Sequence, residues 1–501
     1  MKILLISPPH YRLFDFTLEN IIPWGLCYLS SSIKKNGRDI SIFCTELDKE
    51  LLSLGLRNFN LLYVKNRHTC YETINNIQAP VWQEIKSRIA EINPDIVGLT
   101  CVSSTYDSAL NIARLTREIN PASKIIFGGI HPTAYPLDVI KNDNVDFVVK
   151  GEGEKTFGEL IDALEHGNVF REIRGLVYKE GNNISETPER ELIENIDSIP
   201  YPQIENLLNL EDFPKRGLGY IFTSRGCPYN CSYCASNTIW TRKVRLRSPE
   251  NVISELKDRM GKFNIRDFCF FDDTFTIDKK RVGKICDMIL DDGLNISWCC
   301  YTRLDALDEM LLKKMEQSGC EMVSVGIETC NDSTLKNTGK GIDTSEIAKR
   351  IKLVHNHGIK INGFVMLGFP GETQEDIKKL KKFVKKTGIY TPDMSITTPY
   401  PRTEFYDNMK MKNMIPQGLR WYAFYPHNPD INLTGLEQKK FEKIIIDFTK
   451  FQHRYRIKNK LKYIFNNPFI ILQWIRKYST ILISDRTKGF KKIIRLFSFS
   501  K

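Results

Sequence analysis

The sequence predicts an α/β fold in which a doubly wound parallel sheet is followed by a partial (β/α)6 barrel and a helical, basic C-terminal region. In the first third of the chain, short apolar runs alternate with helical patterns. Six further strand patterns alternate with five helical patterns between residues 219 and 398, and the alternation stops near residue 404. Strand–helix alternation is typical of parallel sheets that are covered by helices.

The composition is that of a folded, soluble protein. Of the 501 residues, 42% are hydrophobic and 26% are charged, which excludes a disordered or collagen-like chain. No run of 18 apolar residues occurs, so no membrane-spanning helix is expected. The N-terminal MKILLISPPH has an apolar run too short for a secretory signal and is expected to form the first strand. The expected compartment is therefore the cytoplasm.

The predicted N-terminal sheet ends its strands in small and polar residues. In an open α/β sheet, ligands bind at the carboxyl ends of the strands. Residues 50–80 have no regular pattern and are predicted to form an irregular insertion. The predicted strands are 2–7, 39–43, 95–100, 124–127 and 145–149, and the predicted helices are 24–36, 105–119 and 154–166. The strand ends in question are SPP at 7–9, TCVSS at 100–104, GGIHPT at 128–133 and GEGE at 151–154.

A proline-containing segment separates the two strand–helix series and is predicted to be a linker. Because barrel loops that follow strands carry function, the strand ends of the second series are candidate site positions. The predicted strands lie near 219–224, 267–272, 296–301, 322–327, 359–366 and 394–398. We expect domains at 1–170 and 216–403, a linker at 171–215 and a helical basic region at 404–501.

The net charge of +12 lies entirely in the C-terminal tail. Residues 454–501 hold 13 Lys or Arg and one Asp, and the rest of the chain holds 59 basic and 59 acidic residues. A neutral body argues against a nucleic-acid partner. The tail mixes basic and apolar residues, which fits either peripheral contact with an anionic membrane or an amphipathic helix packed on the barrel. Asn466, Asn467 and Pro468 predict a break in any helix there.

Thirteen cysteines include one cluster with ligand spacing. Cys227, Cys231 and Cys234 in SRGCPYNCSYCAS follow the first predicted barrel strand with C-x3-C-x2-C spacing. Three thiolates can hold a [4Fe-4S] cluster and leave one iron open. Zinc would need a fourth ligand nearby, and no other Cys or His lies between residues 167 and 268. The cysteines on apolar segments are expected to be buried thiols; they are Cys27, Cys44, Cys101, Cys269, Cys299 and Cys300.

Residues 217–400 resemble the radical S-adenosylmethionine (SAM) superfamily, whose signature is C-x3-C-x2-C. The resemblance implies that the open iron of the cluster binds SAM and that electron transfer cleaves SAM to a 5′-deoxyadenosyl radical. FFDDTF, YTRLD, VGIET and GFVMLGFPGET stand at the strand ends where this family binds SAM. Taken alone, the arginine and glutamate of these motifs would be better explained by a surface salt bridge, but their register with the cysteine loop favours ligand binding. The residues that the resemblance assigns to SAM are Asp272, Asp273, Arg303, Glu328 and Gly368.

The N-terminal third resembles the cobalamin-binding domain that is fused to many radical SAM enzymes. Glycines allow the backbone to approach a bulky planar ligand. No D-x-H-x-x-G signature is present, so no histidine is expected below the cobalt, and His131 is expected to belong to the GGIHPT turn. The residues that the resemblance assigns to cobalamin are Ser103, Gly128, Gly129, His131, Pro132, Thr133, Gly151, Glu152 and Gly153.

These resemblances imply a cobalamin-dependent radical SAM methyltransferase that methylates an unactivated carbon of a small or lipid-like substrate. An external electron donor such as flavodoxin or ferredoxin would reduce the cluster. Two alternatives remain at this stage: a radical cyclase or rearrangement enzyme of the same architecture, and a cobalamin sensor with a vestigial radical domain. The intact cysteine triad argues against the sensor. A tRNA-modifying enzyme is disfavoured by the neutral body and by the lack of an RNA-binding motif.

Overall fold

The computed structural model describes residues 1–14, 16–18, 22–34, 37–47, 52–54 and 56–465. The chain divides into two compact units, Met1–Thr449 and Lys450–Lys501. Of the second unit, the described part is helical up to Phe465. The predicted helix break at Asn466, Asn467 and Pro468 lies outside the described residues.

The N-terminal part of the first unit is built around a seven-stranded sheet with the order β3-β1-β5-β6-β7-β8-β9. The strands of this N-terminal part, of which β2 and β4 lie outside the seven-stranded sheet, are β1 Lys2–Ser7, β2 Phe16–Leu18, β3 Asp39–Cys44, β4 Leu52–Leu54, β5 Ile96–Thr100, β6 Lys124–Gly128, β7 Phe147–Val149, β8 Leu176–Glu180 and β9 Asn183–Glu186. Its helices are α1 Trp24–Ser32, α2 Leu56–Asn75, α3 Pro80–Ile92, α4 Tyr106–Ile119, α5 Ile130–Ala134, α6 Pro136–Ile140 and α7 Gly153–His166.

The first five strands of this sheet confirm the predicted doubly wound fold. They pair in parallel, and their order is that of flavodoxin-like sheets. The buried faces of these strands explain their near-continuous apolar runs: Leu4, Leu5 and Ile6 are all fully buried. The strands β2 and β4 form a separate parallel pair outside this sheet.

Two predictions for this part are wrong. The expected irregular insertion at 50–80 contains all of α2 and the start of α3. In α2, the buried residues Tyr63, Cys70 and Ile74 recur at helical spacing, but polar residues between them conceal the pattern in the sequence. The expected linker at 171–215 supplies β8 and β9, which extend the sheet in antiparallel fashion. These strands are short, and the prolines that follow them suggested a structureless connection.

The second part is the predicted partial barrel, six parallel strands in the order β10-β13-β14-β15-β16-β17. Strands β11 and β12 form a separate antiparallel pair beside the barrel. The strands are β10 Tyr220–Ile221, β11 Ser224–Arg225, β12 Arg245–Leu246, β13 Asp267–Phe270, β14 Ser297–Thr302, β15 Cys320–Glu328, β16 Lys360–Leu367 and β17 Thr391–Ile396. The helices are α8 Asn237–Trp240, α9 Pro249–Phe263, α10 Lys279–Asp291, α11 Glu309–Gln317, α12 Asp332–Asn337, α13 Thr344–Asn356 and α14 Gln374–Thr387.

Side-chain caps fix where the barrel helices begin, and so where the preceding loops end. Ser248 accepts a hydrogen bond from the backbone N–H of Asn251 at the start of α9. Thr373 and Asp376 form a reciprocal capping box at the start of α14, which ends at Gly388 in the left-handed conformation. The strand-to-helix loops that carry the site are therefore anchored at their far ends.

The C-terminal region is less helical than predicted. Helix α15 spans Glu404–Met411 and α16 spans Gln438–Phe465, but residues 412–437 are irregular apart from one short 3-10 turn. Prolines and glycines in this stretch, including Pro416, Gly418 and Pro429, interrupt any helix. In the part of the chain that the structure describes, no helix is long and apolar enough to cross a bilayer. The 3-10 helices are Tyr11–Phe14, Ser103–Thr105, Phe170–Glu172, Ile196–Ser198, Ile204–Asn206, Leu210–Asp212, Lys215–Gly219, Phe275–Ile277, Leu304–Ala306 and Trp421–Ala423.

Candidate active site

The cysteine loop begins directly after β11, and its three thiols line one cavity of about 190 Å³. Gly226 starts the loop with φ of +92°, and a Cβ there would stand 2.3 Å from the carbonyl oxygen of Lys243. Only glycine fits this turn, which aims Cys227, Cys231 and Cys234 at the same space. All three are free thiols.

The three thiols line one cavity without converging on a single point. Among the residues that the structure describes, no three Cys, His, Asp or Glu side chains are arranged to hold one metal ion. Zinc needs ligands that converge on one point, whereas a [4Fe-4S] cluster binds each thiolate through a different iron. Cys227 Sγ lies 3.7 Å from Thr274 Oγ1, and Cys231 Sγ lies 3.7 Å from a guanidinium nitrogen of Arg303.

Asp273, Arg303 and Glu328 line the cysteine cavity, as the resemblance to radical SAM enzymes implies. The Arg303 guanidinium lies over the ring of Tyr229 at 3.8 Å and forms a two-pronged ion pair with Asp305 at 2.9 and 2.8 Å. These contacts hold Arg303 in one orientation beside Cys231.

Glu328 is held by a lysine that the sequence analysis did not identify. Lys340 Nζ donates to Glu328 Oε1 at 2.7 Å, and both side chains are buried. Glu328 also has φ of +63°, a strained conformation for a residue with a side chain, at the point where the β15–β16 register shifts. The signal for Lys340 is its place between Gly339 and Gly341, in a turn close to the cysteine loop.

Asp272 and Gly368 do not line the cysteine cavity. Asp272 is buried and accepts hydrogen bonds from the backbone N–H groups of Thr223 and Ser224, at 2.6 and 3.2 Å. It therefore fixes the chain that leads into the cysteine loop, and burial raises its pKa. Gly368, with φ of +98°, donates its N–H to Glu372 at 2.6 Å, and burial raises the pKa of Glu372 to about 7.

A larger cavity of about 940 Å³ lies along the carboxyl edge of the N-terminal sheet. Of the residues assigned to cobalamin, Gly128, Gly129, Gly151, Glu152 and Gly153 line it. A Cβ on Gly129, which has φ of +103°, would lie 2.9 Å from the carbonyl oxygen of Cys101. The bare backbone of these glycines leaves this face of the cavity flat.

The other residues assigned to cobalamin stand behind this wall. Ser103, His131, Pro132 and Thr133 do not line the cavity. Ser103 Oγ lies 3.1 Å from His131 Nδ1, and burial lowers the pKa of His131 to about 4. Thr133 Oγ1 accepts the N–H of Gly151 at 3.0 Å, which ties two of the strand-end loops together. These side chains shape the wall without facing the ligand space.

His10 lines the large cavity and was not identified from the sequence. His10 directly follows the SPP segment at the end of β1, and this strand-end position is the feature of the sequence that could have identified it. Its ring lies 4.2 Å from that of Tyr425, centroid to centroid, and burial lowers its pKa to about 3. Glu46, also in the cavity wall, accepts backbone N–H bonds from His10, Tyr11 and Arg12.

The two cavities meet at the cysteine loop. Cys234, Ser236 and Asp273 line both of them. Ser236 donates a hydrogen bond to Asp273, which joins the loop to the end of β13. The cysteine loop is therefore the partition between the sheet-edge cavity and the barrel cavity.

A buried ion cluster fixes this partition against the N-terminal sheet. Glu152 receives hydrogen bonds from Arg245 at 2.8 Å, from Arg225 at 2.7 Å and from the backbone of Ile193 at 2.7 Å. Arg225, two residues before the first cysteine, also pairs with Glu154. Burial alone would raise the pKa of Glu152, but the two arginines outweigh it and hold the pKa below its ordinary value.

Comparisons with known proteins match both the N-terminal sheet and the barrel to known families. Residues 21–161 match the B12 binding domain family, and residues 221–384 match the Radical SAM superfamily. An uncharacterised methyltransferase of Pyrococcus horikoshii is 32% identical over 453 residues, which cover 89% of this chain and 91% of the relative. An anaerobic magnesium-protoporphyrin IX monomethyl ester cyclase of Synechocystis is 25% identical over 502 residues, covering 99% of this chain and 88% of the relative.

A solved structure has the same fold. The radical S-adenosylmethionine methyltransferase TsrM from Kitasatospora setae, with cobalamin and a [4Fe-4S] cluster bound, superposes with a TM-score of 0.61 at 18% identity. The superposition covers 82% of this chain and 75% of that one. Fold, site and matches together define a radical SAM enzyme with an N-terminal B12-binding domain. The chain belongs to the family of cobalamin-dependent radical SAM methyltransferases.

Removing the three thiols should abolish cluster assembly. Reconstituted without oxygen, the protein should be brown and hold about four irons and four sulfides per chain. With Cys227, Cys231 and Cys234 replaced together by Ala, the colour, the iron and the cleavage of SAM should all be lost. Replacing the buried Cys286 by Ala is the control and should leave all three unchanged. A triple variant that still produces 5′-deoxyadenosine would contradict a radical mechanism at this site.

Replacing Glu152 by Ala should loosen the partition between the cavities. The change leaves Arg245 buried without its carboxylate, and breaking a buried pair costs about 3–5 kcal/mol. Native-state hydrogen exchange should show faster exchange at residues 190–195 and 225–246, with helix α14 unaffected. The control is Glu194→Gln, since Glu194 pairs with Lys243 at the exposed surface of the same region. Equal exchange in the two variants would show that Glu152 does not hold the loop.

Proposed function

We propose that this enzyme transfers a methyl group to an unactivated carbon of a small or lipid-like molecule. The observation that carries the proposal is the shared lining of the two cavities by Cys234, Ser236 and Asp273. When bound, the cluster and SAM supply a 5′-deoxyadenosyl radical, and methylcobalamin supplies the methyl group. A reaction that needs both requires their sites to adjoin, and in this chain one loop borders both.

The residues around the cysteine cavity support an assignment of SAM contacts. Arg303 offers a fixed cation for the carboxylate of SAM, and Glu328 offers a carboxylate oxygen for the ribose hydroxyls. Asp273 supplies a negative charge for the SAM amine, whereas the hydrogen bonds of Asp272 support a role in shaping the loop. The N–H bond of Gly368 to Glu372 likewise supports an indirect role, in fixing the turn after β16.

The glycine-lined cavity is proposed to hold cobalamin. A flat backbone wall at Gly128, Gly129, Gly151 and Gly153 suits a large planar ring, and the buried Ser103, His131, Pro132 and Thr133 support that wall from behind. Because His131 contacts Ser103 and does not face the cavity, its position supports cobalt bound without a His131 ligand. Glu152 is proposed to act on cobalamin indirectly, through the arginines that hold the cavity wall.

We propose that an external donor such as flavodoxin or ferredoxin reduces the cluster. The neutral body supports a substrate other than nucleic acid. Peripheral membrane contact is proposed only for the basic tail, most of which lies beyond Phe465 and outside the described residues.

A radical cyclisation without net methyl transfer is the second candidate, because one relative named a cyclase matches almost the whole chain. SAM that carries deuterium in its methyl group separates the two. When the reduced enzyme is incubated with a metabolite extract, methyl transfer should yield a product heavier than its precursor by one labelled methyl group. The Cys227, Cys231 and Cys234 triple variant is the control and should yield none. Labelled SAM that gives 5′-deoxyadenosine and a product without the label would favour the cyclase.

A further inference from the structure

The inner face of the barrel carries a row of aromatic rings that no cofactor assignment uses. The rings lie on, or directly after, strands β10, β13, β14 and β16, and they face the lumen because side chains alternate between the two faces of a strand. We call them the lumen wall; its members are Tyr220, Phe222, Phe271, Tyr301 and Phe364.

The rings of the lumen wall contact one another in sequence. Phe271 lies 5.2 Å from Tyr220 and 5.6 Å from Phe222, measured between ring centroids. Phe271 lies 4.6 Å from Tyr301, and Tyr301 stacks on Phe364 at 5.7 Å with an angle of 17° between the ring planes. These are the separations of interacting aromatic pairs, so the wall is one continuous surface.

Part of this surface is left open. Phe271 is 39% exposed although it stands inside the barrel, and the other four rings are half-buried. Tyr220 and Phe222 also contact Trp24 and Tyr28 of α1, so the open part is centred on Phe271, Tyr301 and Phe364. Leaving contiguous apolar area in water is unfavourable, and such patches on soluble proteins mark binding sites. The lumen wall therefore has the exposure of a surface that a ligand covers.

The wall is continuous with the site of radical chemistry. Tyr301 and Phe364 line the cysteine cavity together with Cys227, Cys231 and Cys234. A molecule lying on the wall would thus have one end beside the cysteine loop. This places the surface where a substrate carbon must be to react.

The strand positions between the rings are neutral, and charged side chains stand at the edges of the wall. The neutral positions are Cys269, Cys299, Ser324, Gly326 and Asn362. Asp273, Arg303 and Glu328 line the cysteine cavity together with Tyr301 and Phe364, and Asp393 stands in register with Phe364. The rings are therefore the part of the wall that offers an apolar surface to a ligand.

Asn362 adds a directional contact. Its side chain is 93% buried, its Nδ2 group approaches Ser324 Oγ at 3.4 Å, and its Oδ1 atom has no hydrogen-bond partner among the described residues. Asn362 is in register with Ser324, which lines the cysteine cavity, so this unsatisfied acceptor belongs to the inner face of the barrel. Buried acceptors are normally paired, and a donor on a ligand would pair this one.

We propose that the lumen wall binds a planar, conjugated ring system of the substrate, with a hydrogen-bond donor directed towards Asn362. That the ligand is the methyl acceptor rests on the proposed function; that the wall binds a flat ring does not. Flat rings are favoured over aliphatic chains because the wall offers aromatic faces, which gain more from a second π-system than from a saturated surface.

The test uses a set of small probes with the reconstituted full-length enzyme and SAM. Binding of 2-naphthol, of its saturated counterpart decahydro-2-naphthol and of 2-methoxynaphthalene is measured by isothermal titration calorimetry. We expect 2-naphthol to bind about tenfold more tightly than the saturated alcohol. 2-Methoxynaphthalene should bind more weakly than 2-naphthol because it lacks the donor.

Variants connect the binding to the wall. Phe271→Leu keeps an apolar side chain, and so the fold, but removes a ring; it should weaken 2-naphthol binding about threefold to tenfold. Asn362→Ala should weaken binding of 2-naphthol and leave that of 2-methoxynaphthalene unchanged. The matched control is Phe170→Ala, in the separate ring cluster with Phe147 and Tyr178 on the N-terminal sheet, which should change neither.

Equal affinity for the aromatic and saturated alcohols, or full affinity in Phe271→Leu, would overturn the proposal. Methyl transfer is scored separately, with labelled SAM. If 2-naphthol fails to bind while a labelled aliphatic product forms, the lumen proposal is wrong and the proposed function stands. If the probe binds as expected but no label is transferred to any product, the wall is a ring-binding site and the proposed methyl transfer is wrong.

Discussion

The buried carboxylate of Glu152 is the interaction on which the arrangement of the site depends. It belongs to the strand-end loop of the N-terminal sheet, and its two arginine partners belong to the strands that flank the cysteine loop. With Ile193 it joins three separate stretches of chain at one point. The two cavities adjoin because this ion cluster holds the edge of one fold against the loop of the other.

Much of the fold follows from the sequence because buried parallel strands leave a strong signal. The runs at β1, β5 and β6 are apolar on both faces, and the small residues that end them identify the ligand edge. The helix α2 was missed because its buried residues are few and are separated by polar ones. The strands β8 and β9 were missed because short antiparallel edge strands beside prolines resemble a loop.

The site was predictable in its chemistry but not in its geometry. The cysteine spacing identified the cluster loop, and the strand-end motifs identified Arg303 and Glu328, which both line the cavity. Adjacent residues at a strand end point to opposite sides, and sequence alone could not tell which of Asp272 and Asp273 would face it. Arg245 acts through a partner 93 residues away in the sequence, so no local pattern could reveal it, and the two glycines that flank Lys340 are a weak signal for that lysine.

In the proposed function, the cysteine loop is the common boundary of the cluster site and the cobalamin site. Electron paramagnetic resonance of the reduced holoenzyme tests this most directly, because the reduced cluster and Co(II) cobalamin are both paramagnetic. If the two sites adjoin, each signal should be broadened or split relative to samples that hold only one of the cofactors. Two unperturbed, additive signals would mean that the cofactors lie far apart, and would contradict the central claim.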